Sequence, residues 1–299
     1  MAEWTGVAGK RVVITGASGG IGLAAAKALA ARGALITIVA RSQERAGAAA
    51  SAVEAGGAPA DVLTCDLSSQ AALRALAAAL LERYARIDVL VNNAGAMFAK
   101  RQLSTDGIEL TWALNHLAPF LLTRLLLERL RESAPARVVT TSSDAHRGAR
   151  IPFEDLGGER VYRARGLGPL LAPGFRRYGQ TKLANILFTA ELARRIDGSG
   201  VSANCFHPGF VATGFNRNNG PWSRVAMTLA RPAARTPARG ARTLVWLVDS
   251  PACNNANGGY FFDEHPAEPS PQARDAESAR RLWELSGAQV GPPTPQELE

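Results

Sequence analysis

Residues 15–22 read Thr15-Gly16-Ala17-Ser18-Gly19-Gly20-Ile21-Gly22, and this stretch decides the fold. It follows the apolar run Arg11–Thr15 directly and opens the Ala-rich stretch Ile21–Arg32. Gly16 permits a tight turn, Gly20 lets the backbone come close to a pyrophosphate, and Gly22 lets a helix lie close to a sheet. The first turn of such a helix presents free N–H groups and a partial positive charge to phosphates. The stretch therefore predicts a strand, a dinucleotide-binding turn and a helix.

Beyond this turn, short apolar runs alternate with Ala- and Leu-rich stretches of helical length. The predicted strands are Arg11–Thr15, Leu35–Ala40, Asp61–Cys65, Ile87–Val91, Arg137–Thr141 and Val201–Phe206. The predicted helices are Ile21–Arg32, Gln43–Ala55, Gln70–Arg83, Gly107–Arg131 and Gly179–Arg195. Strands that are apolar almost throughout are typical of a parallel sheet buried on both faces. The predicted fold class is α/β, a doubly wound parallel sheet of Rossmann type with about seven strands and helices on both faces.

Two segments interrupt this alternation at the carboxyl edge of the sheet, where ligands bind in such folds. Residues 145–177 are rich in Gly, Pro and Arg, and residues 214–238 are rich in Asn and Pro. We expect both to be substrate-loop insertions in a single dinucleotide-binding and catalytic domain over residues 1–290, followed by a disordered tail over residues 291–299. Their apolar residues need burial on the domain or around a ligand: Ile151, Phe153, Leu156, Val161, Leu167, Leu170, Leu171, Phe175, Phe215, Trp222 and Met227.

The basic charge of the chain raises the question of nucleic-acid binding. The formal net charge is +8 and the isoelectric point is about 10.0. However, 30 of the 34 basic residues are arginines, and they are dispersed without a basic run or interleaved aromatic residues. An Arg- and Ala-rich composition explains this charge, and we expect no nucleic-acid partner. With 46% hydrophobic and 20% charged residues, the chain is not disordered as a whole.

The cysteines, the histidines and the lengths of the apolar runs argue against disulfide-rich, metal-binding and membrane-spanning proteins. Cys65, Cys205 and Cys253 are an odd set without CxxC spacing, which argues against a disulfide framework and a zinc site. The four histidines lack the spacing of a metal site. The N-terminal residues do not resemble a signal peptide, and no run of about 18 apolar residues predicts a membrane span. We therefore expect a cytoplasmic protein.

The end of the second predicted strand discriminates between two dinucleotides. A carboxylate there accepts hydrogen bonds from the ribose 2′-OH of NAD, whereas an arginine accommodates the 2′-phosphate of NADP. Here the strand ends in Ala40-Arg41-Ser42, without an acidic residue. Because Arg41 can pair with phosphate in a bidentate manner, the sequence predicts NADP(H) as the cofactor. The alternative is that Arg41 is one more surface arginine in an Arg-rich chain.

Tyr178 and Lys182 lie four residues apart, at helical spacing, so they share one helix face. A free phenol has a pKa of about 10 and is a weak acid–base catalyst at neutral pH. A lysine one turn away, together with an oxidised nicotinamide, favours the phenolate and lowers that pKa. The pair predicts a tyrosine that exchanges protons with a substrate, and the alternative is an exposed helical pair.

Taken together, these segments resemble the short-chain dehydrogenase/reductase family over nearly the whole chain. They occur in the order of the family: Thr15–Gly22, Cys65-Asp66-Leu67, Asn92-Asn93-Ala94-Gly95, Asn115, Ser142-Ser143, Tyr178-x-x-x-Lys182 and His207-Pro208-Gly209-x-x-x-Thr213. The chain most resembles the retinol dehydrogenase-like branch, through Asn115-His116-Leu117, Lys182-Leu183-Ala184-Asn185 with Leu187-Phe188, and the C-terminal stretch Arg280–Ser286.

The resemblance implies a role for each matching residue. Tyr178 would exchange a proton with the substrate oxygen, Ser143 would orient that oxygen, and Lys182 would hold the nicotinamide ribose. Asn115 would complete a water-mediated proton relay, and Asp66 would accept a hydrogen bond from adenine. The implied catalytic residues are Asn115, Ser143, Tyr178 and Lys182. The implied cofactor-binding residues are Gly16, Ser18, Gly20, Ile21, Gly22, Arg41, Asp66, Leu67, Asn92, Ala94, Gly95, Tyr178, Lys182, Pro208, Gly209, Val211 and Thr213, and no metal is expected.

The activity implied is that of an NADP(H)-dependent alcohol dehydrogenase or carbonyl reductase acting on a bulky apolar substrate, such as a retinoid, a steroid or a polyketide-like compound. One alternative is a reductase of carbon–carbon double bonds related to protochlorophyllide reductase, but no cysteine lies in a predicted substrate segment. A catalytically idle, cofactor-sensing protein is the other alternative, and the complete catalytic set disfavours it. The 35 residues from Ser143 to Tyr178 form a longer connection than in many members of the family.

The sequence leaves two alternatives for the oligomeric state. The Leu-rich helix before Ser133 and the helix after Tyr178 each have an apolar face. These faces either form a homodimer interface, as the family often does, or belong to the core.

Overall fold

The structure is a computed structural model that describes residues 3–164, 172–211 and 234–291. The described residues form one eight-stranded sheet in the order β3-β2-β1-β4-β5-β6-β7-β8. The strands are β1 Arg11–Thr15, β2 Leu35–Ala40, β3 Ala60–Thr64, β4 Val89–Asn92, β5 Ala136–Thr141, β6 Val201–Phe206, β7 Tyr260–Phe262 and β8 His265–Pro266. Strands β1 to β7 pair in parallel, and β8 pairs antiparallel with β7. The predicted doubly wound parallel sheet is confirmed.

Two strands at one edge of the sheet were not located from the sequence. Strand β7 has three residues and β8 has two, which is too short for a hydrophobic period to develop. Asp263 and Glu264 join them at φ angles of 48° and 67°, so the chain reverses within two residues. The sheet thus contains one strand more than the predicted number.

Helices cover both faces of the sheet. One face carries α1 Gly20–Ala30, α2 Gln43–Glu54 and α7 Pro237–Asp249. The other carries α3 Gln70–Arg83, α4 Leu110–Glu132, α6 Pro173–Arg195 and α8 Ala276–Val290, and the short helix α5 Glu159–Arg163 packs on α6. Helix α4 contains one widened, π-helical turn at Ala113–Leu117. The arrangement places the carboxyl ends of the strands at a single edge, between the helix layers.

Helix α6 begins at Pro173, six residues before the predicted start at Gly179. Proline is favourable in a first helical turn because its missing N–H would have no helical partner there. Gly174 lies so close to the Phe98 carbonyl and Ala99 that a Cβ would overlap them. Pro173 and Gly174, part of the composition that suggested a loop, therefore belong to the first turn of a tightly packed helix.

Helix α8 covers the apolar faces of α4 and α6. The Trp283 ring stacks on Phe188 with centroids 5.9 Å apart and meets Phe120 edge-on at 5.0 Å. The His116 Nε2 and Ser286 Oγ atoms lie 2.8 Å apart in a hydrogen bond, and both residues are buried. Of the two alternatives for these faces, a dimer interface or core, the structure shows core.

Several predicted features lie outside the described residues. They include residues 165–171 of the first insertion, residues 214–233 of the second, and the predicted tail from residue 292 onwards. Leu167, Leu170, Leu171, Phe215, Trp222 and Met227 are among them. The predictions made for these residues remain predictions.

Candidate active site

A cleft of about 2270 Å³ opens at the carboxyl edge of the sheet. It lies where β1 and β4 are neighbours, so that the strand order reverses, the usual ligand position in doubly wound folds. The glycine-rich turn lines one part of the cleft, and Ser143, Tyr178 and Lys182 line another. The cleft therefore brings the predicted phosphate-binding turn and the predicted catalytic residues together.

The glycine-rich turn has the geometry that the sequence predicts. Gly16 adopts a φ of 70°, and a Cβ there would lie 2.8 Å from Ala94 Cα. A Cβ on Gly22 would lie 2.7 Å from the Gly16 carbonyl oxygen, so a larger residue would push α1 away from the turn. Gly19 precedes α1 without a side-chain cap, which leaves the first N–H groups of the helix for a ligand. This backbone cradle fits the pyrophosphate of a dinucleotide.

Asn93, which the sequence analysis did not select, connects three strands at this turn. Its Nδ2 donates to the Thr15 carbonyl at 3.0 Å, and its Oδ1 accepts from Thr141 Oγ1 at 3.4 Å. The neighbouring Asn92, predicted to contact the cofactor, does not line the cleft; its Nδ2 donates to Thr123 Oγ1 at 2.9 Å, inside the core. Successive side chains point to opposite faces at this strand end, so the two amides lie on different sides. A shift of one residue in register therefore decides which of the two asparagines reaches the cleft.

Two arginines stand at the end of the cleft nearest β2. Arg41, predicted to bind the cofactor, follows β2 and is exposed, and Asp66 and Leu67 lie nearby in the lining. Arg45, not selected from the sequence, also lines the cleft, and its guanidinium lies beside Gly19. The Asp66 carboxylate accepts hydrogen bonds from the N–H and the hydroxyl of Ser68. This end carries more positive charge than the sequence analysis predicted.

Cys65 also lines this end of the cleft. Burial raises the pKa of its thiol to about 12, so it is protonated and unreactive near neutral pH. It lies beside Asp66, at the opposite end from Tyr178, and therefore does not supply the active-site cysteine that reduction of a carbon–carbon double bond would need.

Ser142 and Ser143 point to different places. The Ser142 hydroxyl is buried and donates to the Lys182 carbonyl at 2.8 Å. Ser143 is partly exposed in the cleft; its hydroxyl accepts the Ala145 N–H at 3.2 Å and lies close enough to Tyr178 to lower the pKa of that phenol. The structure thus places Ser143 beside Tyr178, and leaves Ser142 to hold the helix that carries Lys182.

Lys182 is buried below Tyr178. Its Nζ donates to the Thr141 carbonyl at 2.9 Å and lies 5.5 Å from the centre of the Tyr178 ring. Burial lowers the pKa of Lys182 to about 8 because the charged ammonium loses solvation. Burial also raises the pKa of Tyr178 to about 12, and the neighbouring Ser143 hydroxyl opposes this rise without cancelling it. Desolvation thus shifts the tyrosine pKa in the direction opposite to the lowering that the sequence predicts for Lys182 together with an oxidised nicotinamide.

Asn115 lies in the widened turn of α4 and is completely buried. Its Nδ2 donates to the Ala96 carbonyl at 2.8 Å and to Thr181 Oγ1 at 3.1 Å, and its Oδ1 accepts from the Ala96 N–H at 2.9 Å. A Cβ on Gly95 would lie 3.2 Å from Asn115 Oδ1 and 3.5 Å from Lys182 Nζ, so these three residues are close neighbours. Asn115 therefore ties the segment after β4 to the helix of Tyr178.

A buried ion pair, also missed from the sequence, holds the start of that helix. Arg177 Nε donates to Glu109 Oε2 at 2.7 Å, and both side chains have no exposed surface. Glu109 also accepts the N–H groups of Thr111 and Trp112 at the start of α4. Tyr162 donates to Glu109 at 3.1 Å, and Arg177 donates to the Leu156 carbonyl. Four segments, including the connection after Ser143, are thus joined immediately beside Tyr178.

Part of the long connection packs on the domain and part faces the cleft. Ile151, Phe153 and Leu156 pack against the main core, and Val161 is buried. Residues of the same connection that line the cleft are Ala145, Gly148, Ala149, Arg150, Pro152, Phe175 and Arg176. Two of the three exposed large hydrophobic residues in the described chain, Leu103 and Phe210, lie in the lining as well, 51% and 52% exposed.

The segment after β6 closes the catalytic end of the cleft. Pro208, Gly209 and Val211, which the sequence predicts to bind the cofactor, line it, whereas Thr213 lies outside the described residues. Gly209 has a φ of 77° and packs against Arg235. His207 stacks on Phe262 with ring centroids 4.0 Å apart, and burial lowers its pKa to about 4, so it is a neutral packing residue. Among the described residues, no group of His, Cys, Asp and Glu could hold a metal ion.

Comparison with known proteins gives consistent relatives. The family profile described as short chain dehydrogenase matches residues 10–153. The chain is 39% identical to retinol dehydrogenase 14 from Mus musculus, over 95% of this chain and 86% of that protein. It is 42% identical to "Putative daunorubicin C-13 ketoreductase DnrU" from Streptomyces sp. (strain C5), over 96% of this chain and 94% of that protein. The Pseudomonas aeruginosa RhlG/NADP active-site complex is similar with a TM-score of 0.68 and 29% identity, over 87% of this chain and 97% of that chain.

The cytoplasmic location predicted from the sequence is wrong, since the relatives include retinol dehydrogenases 11 to 14 and similarity to these proteins does not support that location. The prediction rested on the lack of a signal peptide and of a long apolar run, and such absences do not locate a protein. Within the described ranges, one helix, Leu110–Glu132, is moreover long and apolar enough to cross a membrane. Within the protein, 72% of its apolar window is buried, as in a core helix.

Proposed function

The chain belongs to the short-chain dehydrogenase family, in its retinol dehydrogenase-like branch, and on that premise we propose that it interconverts a carbonyl and an alcohol on a bulky apolar substrate with NADP(H). The observation that carries the proposal is the position of Ser143 beside Tyr178, with Lys182 buried below the Tyr178 ring, in the same cleft as the glycine-rich turn. Two polar hydrogens then converge on one substrate oxygen within reach of a bound dinucleotide.

The chemistry follows from the protonation states of these residues. When bound, the nicotinamide supplies or accepts the hydride at the reacting carbon. Because the pKa of Tyr178 is raised, its phenol carries a proton near neutral pH and can donate it to the substrate oxygen during reduction. Ser143 donates a second hydrogen bond to the same oxygen and orients it. The Lys182 ammonium stabilises the phenolate that forms, and Asn115 fixes the backbone beside Lys182.

The preference for NADP(H) is supported by charge. No acidic residue follows β2 to accept hydrogen bonds from a free ribose 2′-OH, and Arg41 and Arg45 both line this end of the cleft. A 2′-phosphate would receive two guanidinium partners there. The solved relative described above is a complex with NADP, which agrees with this assignment.

An apolar substrate is supported by the catalytic end of the cleft. Phe98, Leu114 and Phe175 line it together with the exposed side chains of Leu103 and Phe210. An apolar compound would cover these side chains and remove them from water. Two relatives are named after retinol and after the C-13 ketone of daunorubicin, and both compounds are bulky, in keeping with this proposal.

The test is oxidation of NADPH with a panel of bulky ketones and aldehydes, with identification of the product. We expect an alcohol, and we expect Tyr178→Phe to lower kcat about a thousandfold or more while NADPH binding is retained. Tyr84→Phe, which removes a hydroxyl bound to Thr37 and Asp61 outside the cleft, is the matched control and should retain turnover. A saturated carbonyl product from an enone, or a Tyr178→Phe variant with most of its kcat, would contradict the mechanism.

A further inference from the structure

Most arginines in the described part of the chain have a partner for the guanidinium group. Within those residues, six make no side-chain hydrogen bond, ion pair or aromatic contact: Arg41, Arg45, Arg150, Arg160, Arg176 and Arg239. Four of these six, all except Arg160 and Arg239, line the cleft. Unpartnered positive charge is therefore concentrated where ligands bind, although arginine is common throughout this protein.

The four cleft arginines form two pairs at opposite ends. Arg41 and Arg45 stand beside the glycine-rich turn, where the proposed 2′-phosphate would lie. Arg150 follows the short helical turn Asp144–Gly148 that begins after Ser143, and Arg176 lies two residues before Tyr178 on α6. The second pair thus borders the catalytic end of the cleft. The proposed binding of NADP(H) assigns no partner to these two arginines.

Among the described residues, no carboxylate is available to neutralise the second pair. Only Asp66 and Asp144 contribute acidic side chains to the described lining. Asp66 accepts hydrogen bonds from Ser68 at the other end, and Asp144 pairs with Arg147 at 2.6 Å. A positively charged wall at the catalytic end would attract and hold an anion.

Apolar side chains accompany this charge. Leu103, Pro152, Phe175 and Phe210 belong to the same lining, and Leu103 and Phe210 are each about half exposed. A neutral apolar compound would cover the side chains but would leave both guanidinium groups without an anionic partner. A small polar anion would satisfy the arginines but not the apolar surface. The arginines and the apolar side chains together fit one amphipathic molecule.

We infer that the substrate is an apolar ketone or alcohol that carries a carboxylate, with the carboxylate held by Arg150 and Arg176. The planar guanidinium fork matches a carboxylate in geometry, and the apolar body lies over Leu103 and Phe210. This inference rests on the proposed function and adds the charge of the substrate to it. Arg150 and Arg176 then determine specificity, whereas Tyr178, Ser143 and Lys182 perform the chemistry on acids and neutral ketones alike.

The experiment compares ketone acids with their methyl esters, using dehydrolithocholate and benzoylbutyrate as the acids. For the intact protein with NADPH, we expect kcat/KM to be about tenfold or more higher for the better acid than for its ester, since one charge-assisted hydrogen bond is worth about this factor. The preference should weaken with added salt, because the arginines are exposed. Arg150→Gln and Arg176→Gln should each raise KM for the acid about tenfold and leave kinetics with the ester unchanged.

Arg160→Gln is the matched control, because Arg160 is also exposed and unpartnered but does not line the cleft. It should leave both substrates unaffected. NADPH affinity should stay the same in all three variants, which confirms that they fold. Two results would overturn the inference and leave the proposed function intact. One is an equal kcat/KM for ester and acid with both compounds, and the other is an equal loss of kcat/KM for acid and ester in Arg150→Gln and Arg176→Gln. Absence of turnover with every acid and ester would overturn the proposed function itself, and the inference with it.

Discussion

The glycine-rich turn and the start of helix α6 both border the cleft, and they are held in different ways. The turn is held by backbone that approaches backbone, with Gly16 against Ala94 and Gly22 against the Gly16 carbonyl. The start of α6 is held by side chains, through the Glu109–Arg177 ion pair. Backbone packing tolerates no added atom, whereas the ion pair tolerates no lost charge. The two regions should therefore fail under opposite kinds of substitution.

The largest effect should come from removing one charge of the buried pair. Glu109→Gln keeps the size of the side chain but leaves the Arg177 guanidinium buried without a carboxylate. We expect a loss of about 3–5 kcal/mol in the free energy of unfolding, measured by denaturant titration. Glu159→Gln is the control, because Glu159 pairs with Arg101 and Arg163 while its side chain is 57% exposed, and it should cost less than about 1 kcal/mol. Similar small losses in both variants would show that the pair does not hold this region.

The turn should fail when an atom is added. Gly22→Ala would place a Cβ 2.7 Å from the Gly16 carbonyl oxygen and 2.9 Å from Ala17 Cα, and neither backbone atom can rotate away. We expect a loss of about 1–3 kcal/mol in unfolding free energy and weaker NADPH binding, measured by titration calorimetry. Gly47→Ala adds the same atom within α2, where nothing lies within 4 Å, and should stabilise the protein by about 0.5–1 kcal/mol. An unchanged affinity in Gly22→Ala would contradict the close fit of the turn.

Arg41 tests whether the backbone-held end also depends on one side chain. Arg41→Ala should weaken NADPH binding by about 1.5–3 kcal/mol, the scale of a hydrogen bond between charged groups. NADH lacks the 2′-phosphate, so its affinity should hardly change and serves as the internal control. Parallel fluorescence titrations with both cofactors measure the difference. Equal losses for NADPH and NADH would remove Arg41 from the discrimination between them.

The smallest effect concerns Lys182, a buried charge that costs stability. Burial lowers its pKa from 10.5 to about 8, so the folded protein holds this proton less tightly than the unfolded chain does. The cost is present in full below pH 8 and fades as the pH rises towards 10.5. Lys182→Met should therefore be inactive and yet more stable by about 1–2 kcal/mol at pH 7, with a smaller difference at pH 10.

Thermal denaturation at the two pH values measures this difference. The Thr141 carbonyl keeps a second donor in Asn185 at 3.3 Å, which limits the loss from the missing ammonium. Lys27→Met, at an exposed position on α1, is the control and should show no such dependence on pH. A variant at Lys182 that is less stable at pH 7 would show that the hydrogen bond to Thr141 outweighs desolvation.

The same contrast explains what could be predicted from the sequence. The bounds of β1, β2, β6 and α3 agree with the predicted ones, and the glycine-rich turn has the predicted shape, because these features depend on short, continuous stretches. The position of Ser143 beside Tyr178 followed from a family pattern. The Glu109–Arg177 pair joins residues 68 apart, and no local period marks either of them. Asn93 was missed in favour of Asn92 because strand register, which only pairing fixes, separates them by one residue.

The late position of helix α8 in the chain affects folding during synthesis on the ribosome. Glu109, Asn115, Ser143, Tyr178 and Lys182 all leave the ribosome before the first residue of α8, Ala276. Until Trp283 has been synthesised, the rings of Phe120 and Phe188 lack their cover. A chain that is cut or released before Ala276 would possess its complete catalytic set and still present an aromatic face to other chains, so aggregation would compete with folding. Synthesis of the final helix thus determines when the chain can bury this aromatic face and leave the ribosome without exposing it.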